Sequence, residues 1–240
     1  MIEKHVERDA AAAAEKAAEL FRSITSDAIA ARGRCSVALA GGSSPAAMHG
    51  ALAGETHAPQ IKWGAMEFFF GDERAVPSDA KDSNFHGARA TLLDRVAVDW
   101  PRVHPLEAWR SDLEEAADEY EQRLLDVCPG GALDLLVMGV GEDAHILSLH
   151  PKCSLIDRDD GALVAAVRNP PMNPALDRLT LTPTALFRAR VVLVLFVGAK
   201  KRSAWRALMS REGSALAHPV RLLREHSGVV HCVGDAEAMQ

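Results

Sequence analysis

Along the chain, amphipathic stretches alternate with short runs that are apolar throughout. Residues 7–32 are rich in alanine, carry charges at intervals and stop at Gly33, which predicts a helix ended by a glycine cap. Cys35-Ser-Val-Ala-Leu-Ala40 predicts a buried strand, and the turn Gly41-Gly42-Ser43-Ser44-Pro45 leads into a helix reaching about Leu52. Met66-Glu-Phe-Phe-Phe70 predicts a second strand, ended by Gly71-Asp72. Residues 84–96 read as helical. Ser111-x-x-Glu114 fits a capping box for a helix reaching about Val127, where Pro129-Gly130-Gly131 breaks it. Residues 133–138 predict a strand, residues 163–167 another, and residues 168–177, with their three prolines, a loop. Residues 190–197 form the clearest buried strand. Residues 200–209 and 220–226 predict helices, and residues 228–233 a last strand.

Strands that are continuously apolar, separated by amphipathic helices, belong to a mainly parallel sheet covered on both faces. The expected fold is α/β, a single Rossmann-like domain over residues 1–240, with no internal repeat or linker. In such sheets ligands bind outside the carboxyl ends of the strands. Three loops fall there: residues 41–45, 71–84 and 139–151.

The composition of the 240 residues is that of an ordinary globular protein, with 48% apolar and 25% charged residues. The net charge of −6 and the absence of any basic block beyond Lys200-Lys201-Arg202 exclude a nucleic-acid binder. Cys35, Cys128, Cys153 and Cys232 are far apart, so neither a zinc motif nor a redox pair is expected, and they read as small hydrophobes in a reducing compartment. No uncharged apolar run approaches membrane-spanning length, and no leader segment is visible. A cytoplasmic protein is expected.

Each loop carries chemistry. In Gly41-Gly42-Ser43-Ser44-Pro45, the glycines let backbone approach a ligand closely, Ser43 or Ser44 can cap the next helix, and free N–H groups at the helix start favour an anion. In Gly71-Asp72-Glu73-Arg74, Arg74 is a fork of donors for a phosphate or a developing oxyanion. Asp72 and Glu73 can hold Arg74 or bind sugar hydroxyls. In Gly139-Val-Gly141-Glu142-Asp143-Ala144-His145, the pattern formally matches a dinucleotide fingerprint, but Glu142 and Asp143 would repel a pyrophosphate. Asp143 and His145 read instead as an acid–base pair.

Together these loops resemble the 6-phosphogluconolactonase family. The resembling segments are Gly41-Gly-Ser-Ser-Pro45, then Phe70-Gly-Asp-Glu-Arg-Ala-Val-Pro77 with Asp82-Ser-Asn84, and Gly139-Val-Gly-Glu-Asp-Ala-His145 with Ser148-Leu-His-Pro151. Arg178-Leu-Thr-Leu-Thr182, Gly198-Ala-Lys-Lys201 and Asp235-Ala-Glu-Ala238 follow more loosely. The family's third motif runs G-x-G-x-D-G-H-T-A-S-L-F-P; here Ala144, Ile146, Leu147 and His150 depart from it. If position 144 needs a positive φ, alanine adds strain on the order of 1 kcal/mol.

The resemblance implies a fold shared with glucosamine-6-phosphate deaminases and ribose-5-phosphate isomerases. It also implies hydrolysis of 6-phospho-D-glucono-1,5-lactone to 6-phosphogluconate in the pentose phosphate pathway, with no metal or other cofactor. Carried onto this chain, His145 is the base, with Asp143 and Arg74 beside it. Gly41, Gly42, Ser43, Asp72, Arg178 and Lys201 form the candidate binding set for substrate and phosphate. The expected partner is the phosphorylated sugar lactone, with neither nucleic acid nor membrane, and the expected assembly is a monomer or weak homodimer. Two alternatives stay open. One is a sugar-phosphate isomerase or deaminase in which Asp72 removes a carbon-bound proton. The other is a sugar-phosphate binding protein without turnover. Ile146 leans to the first; Arg74-Ala-Val-Pro77, Asp82-Ser-Asn84 and Ser148-Leu149 lean to the lactonase.

Overall fold

The structure, a computed structural model, describes residues 1–171 and 175–240. The prolines at 170 and 171 lie in non-regular backbone, and the remainder of the predicted loop at 172–174 lies outside the described residues. Six strands form one parallel sheet: β1 (Ile2–Glu7), β2 (Cys35–Leu39), β3 (Met66–Phe70), and further along the chain β5 (Leu135–Gly139), β8 (Val191–Phe196) and β9 (Val229–Asp235). Their spatial order is β1-β9-β8-β5-β2-β3. Every residue of β2 and β3 is buried, as are four of the five in β5, so helices must cover both faces. The helices are α1 (Ala10–Arg32), α2 (Ser43–Leu52), α3 (Asn84–Thr91), α4 (Leu113–Val127), α5 (Pro183–Arg188) and α6 (Arg202–Met209). Phe68, Phe69 and Phe70 of β3 are at most 1% exposed. Tyr120 of α4 ties that edge strand down: its hydroxyl accepts from Phe70 N at 2.7 Å and donates to Phe70 O at 3.2 Å.

A second, antiparallel sheet was not anticipated. It holds β4 (Asp72–Arg74), β6 (Val164–Val167) and β7 (Arg178–Leu181) in the order β4-β7-β6. The chain passes from β3 to β4 through Gly71, whose N–H donates to Leu39 O and whose carbonyl accepts from Leu181 N. A Cβ at Gly71 would meet the Leu147 Cδ2 atom at 2.7 Å, so a side chain at this pivot would force Leu147 to shift. The small sheet is thereby held against the carboxyl ends of the large one.

Other expectations shift. The first helix starts at Ala10, capped by Asp9, which accepts from Ala12 N at 2.8 Å; residues 2–7 form the edge strand β1 instead of leading into it. Gly33 ends that helix as expected, at φ 76°. The cap of α4 is Asp112, accepting from Glu115 N at 3.0 Å, one residue beyond the predicted Ser111. Residues 84–96 divide into α3 and a short 3₁₀ turn at Leu93–Arg95, and Pro219–Arg224 is a 3₁₀ helix.

Candidate active site

The strand order reverses between β2 and β5. From β2 the chain winds to β3, and from β5 to β8 and β9 in the other direction. This switch point opens a crevice at the carboxyl ends of the strands. A cleft of about 210 Å³ lies there, and Gly41, Gly42, Ser43, Asp72, Arg74, His145, Arg178 and Lys201 all line it. The expected residues are thus brought together from three loops and the small sheet. Asp143 stands just behind the lining, on the His145 ring. A larger cleft of about 410 Å³ lies elsewhere, between residues 103–110 and α4, and holds none of these groups.

His145 sits on a tight turn, not on a helix. Gly141 N donates to His145 O at 2.8 Å, and isolated bridges join Val140 to Ile146 and Ile146 to Leu149. The Asp143 carboxylate accepts from His145 Nδ1 at 2.6 Å and from its backbone N at 3.2 Å. Partial burial pushes the Asp143 carboxyl up, but the hydrogen bond and charge of His145 outweigh it and bring it down to about 2. An ionised carboxylate only accepts, so Nδ1 carries a proton, and in the neutral imidazole the lone pair is then on Nε2. Backbone strain brackets the base: Ala144 has φ 68° and Leu147 φ 55°. Side chains at such φ cost roughly 1–2 kcal/mol each, and such strain gathers at functional turns. The departure at position 144 therefore falls where glycine fits best. Ile146 is fully buried, exchanging a motif hydroxyl for core packing.

Neither Ser43 nor Ser44 caps α2. The cap is Gly42, at φ 98° and ψ 170°, a conformation reserved to glycine, and no side chain bonds the first-turn N–H groups. Those donors remain available to an anion in the cleft. The cations add to them. Lys201 has its ammonium pushed down by burial, against the raising effect of Glu142 and Asp143. Arg178, 3% exposed, is likewise lowered by burial and supported by Asp72, 3.8 Å away. With Arg74, three cations face one lining carboxylate, a balance suited to a phosphate.

Asp72 is itself held on all sides. Ser148 Oγ donates to it at 2.6 Å, Asn84 Nδ2 donates to its Oδ1 at 3.1 Å and to its backbone O at 2.8 Å. Glu73 does not reach the cleft. It is 1% exposed and accepts from Arg74 N, Ser83 Oγ, Asn84 N and Phe85 N at 2.7–2.9 Å, anchoring the start of α3. Burial pushes its carboxyl up and these donors oppose the shift. Arg74 donates through a terminal nitrogen to Asp82 O at 2.6 Å, while its buried Nε has no protein partner.

Two contributors went unassigned in the sequence. Asn84, 3% exposed, lines the cleft with an Oδ1 that no protein group satisfies, and a Cβ at Gly41 would meet that oxygen at 1.8 Å. Ser148 couples the His145 loop to Asp72. Their only signal was position within the Asp82-Ser83-Asn84 and Ser148-Leu149 segments.

A family model described as glucosamine-6-phosphate isomerases/6-phosphogluconolactonase matches residues 8–232. A 6-phosphogluconolactonase of Mycobacterium leprae is 37% identical over 207 residues, covering 83% of this chain and 82% of that one. One from Synechocystis is 32% identical over 208 residues, covering 85% and 83%. The solved 6-phosphogluconolactonase of Trypanosoma brucei superposes with TM-score 0.87 at 27% identity, over 99% of this chain and 97% of that one. A monomeric glucosamine-6-phosphate deaminase at 19% identity and TM-score 0.82 shares the fold.

Proposed function

The chain belongs to the glucosamine-6-phosphate isomerase/6-phosphogluconolactonase family, and on that premise we infer that it hydrolyses 6-phospho-D-glucono-1,5-lactone to 6-phospho-D-gluconate in the pentose phosphate pathway. The observation that carries the mechanism is the 2.6 Å contact of Asp143 with His145 Nδ1, beside a cleft whose lining includes Arg74, Arg178 and Lys201. Nε2 takes a proton from water as the water oxygen attacks C1. The carbonyl oxygen becomes an oxyanion, and Arg74, which lines the cleft, is a candidate to stabilise it. The imidazolium then protonates the departing ring oxygen as the C1–O5 bond breaks. The product acid loses one proton to solvent. A positioned base contributes roughly 10²–10⁴-fold.

The phosphate binds at the start of α2 and to Lys201 and Arg178. Asn84, which lines the cleft, is a candidate to bind a sugar hydroxyl. Asp72, already committed to Ser148 and Asn84, is a positioning residue and not an enolisation base. The same reading takes residues 1–240 as one domain of a cytoplasmic enzyme, a monomer or weak homodimer. Among the described residues no helix is long and apolar enough to cross a membrane.

Turnover of fresh lactone in deuterated solvent tests this reading. One acid equivalent per lactone and no carbon-bound deuterium are expected. Deuterium on the carbon next to the carbonyl would place the chain among the isomerases. Substrate binding without acid release would leave a binding protein.

A further inference from the structure

Glu3 and His5 share one face of β1, and β9 places His231 beside them, with Glu3 and His231 as register partners. His5 Nε2 lies 3.2 Å from His231 Nδ1, and that nitrogen lies 3.2 Å from Glu3 Oε2. Among the described residues this is the one group of three or more His, Cys, Asp or Glu side chains whose ligand atoms converge, all within 4.8 Å of one another. It shares no residue with the cleft at the strand ends. Sequence spacing gives no sign of it, because its histidines are 226 positions apart.

The spacing is that of a coordination polyhedron. Zinc bonds of about 2.0–2.1 Å to imidazole nitrogen and carboxylate oxygen in a tetrahedron put neighbouring ligand atoms about 3.3–3.4 Å apart. The two observed separations of 3.2 Å fall close to that edge, and the third, within 4.8 Å, is brought to it by side-chain rotation when an ion enters. The surroundings favour a cation. Glu3, Glu7 and Glu19 act on His5 against the single ammonium of Lys16, which is itself paired with Glu19 at 3.0 Å. Glu3 is exposed, which leaves a fourth position for water.

We propose that Glu3, His5 and His231 form a divalent transition-metal site of the zinc type that clamps edge strand β1 onto β9, separate from the catalytic cleft. Two histidines and a carboxylate suit zinc and its neighbours in the first row, not magnesium or calcium. Binding to the folded chain alone stabilises it in proportion to free ion.

The test is calorimetric titration with zinc chloride in the His145→Ala background, which removes the Asp143–His145 pair as a competing ligand set. One ion per chain with micromolar or tighter affinity is expected. His5→Ala and His231→Ala, each added to that background, should weaken it at least tenfold, and Glu3→Gln should weaken it less. The thermal midpoint should rise most with zinc where all three ligands are present, and by less in each variant in step with its weaker affinity. Magnesium should give no binding. Affinity that stays within twofold after both histidine changes, or no saturable binding below about 1 mM zinc, would overturn the site. Because the site lies outside the cleft, its failure leaves the lactonase reading intact.

Discussion

The His145 ring occupies the space that a side chain at Gly141 would need: a Cβ there would meet Nδ1 at 2.0 Å and Cε1 at 2.2 Å. The Asp143 carboxylate would be 2.6 Å away as well. The glycine is thus required by the Asp143–His145 pair pressed against its backbone, not by its own φ, which is not positive.

Gly141→Ala is expected to push the imidazole out of register while leaving the sheet intact. A displacement of about 1 Å at a reacting group can cost about 10²-fold. Steady-state kinetics should show kcat falling by that order, with the urea midpoint nearly unchanged. Turnover within a few-fold of wild type would mean that the loop adjusts freely.

Ala144 at φ 68° makes the opposite substitution informative. Glycine relieves about 1–2 kcal/mol of left-handed strain and gives back roughly 0.4–1 kcal/mol through the unfolded chain. Ala144→Gly should therefore raise stability by up to about 1.5 kcal/mol, read from denaturant midpoints. A loss of stability would show that the buried methyl group packs better than the backbone is strained.

Asp143 sets an acid-side signature. Its folded value of about 2 lies below the ordinary carboxylate value, so the pair with His145 contributes to stability above about pH 4. That contribution is lost as pH falls through 2. The stability gap between wild type and Asp143→Asn should close between about pH 4 and pH 2. A gap of constant size down to pH 2 would mean that the pair is not formed.

Lys201 and the start of α2 are the phosphate anchor in this account. A charge-assisted hydrogen bond of about 1.5–3 kcal/mol corresponds to roughly 10–100-fold in affinity. Lys201→Ala should raise KM for the phosphorylated lactone on that scale and leave the unphosphorylated lactone almost unaffected. Equal effects on both substrates would place Lys201 at the reacting carbon.

The buried strands were legible because residues 191–196 and 66–70 are apolar almost without interruption. Edge strand β1, Ile-Glu-Lys-His-Val-Glu, carries three charges and a histidine on a half-exposed ribbon, so nothing local separates it from a helix approach. The small sheet was hidden because Asp72-Glu73-Arg74 looks like a solvated turn until it pairs with Arg178–Leu181, over a hundred residues on. In the site, Asp143 and His145 could be read from their spacing. The roles of Glu73, Asn84 and Ser148 could not, since each depends on partners that only the folded chain supplies.

The central claim is that His145 acts as the base in lactone hydrolysis, and the kcat of His145→Ala on fresh 6-phosphogluconolactone, followed by acid release, tests it most directly. The account predicts a fall of at least about 10²-fold with KM little changed, because the phosphate contacts lie on other residues. A kcat within a few-fold of wild type would contradict it.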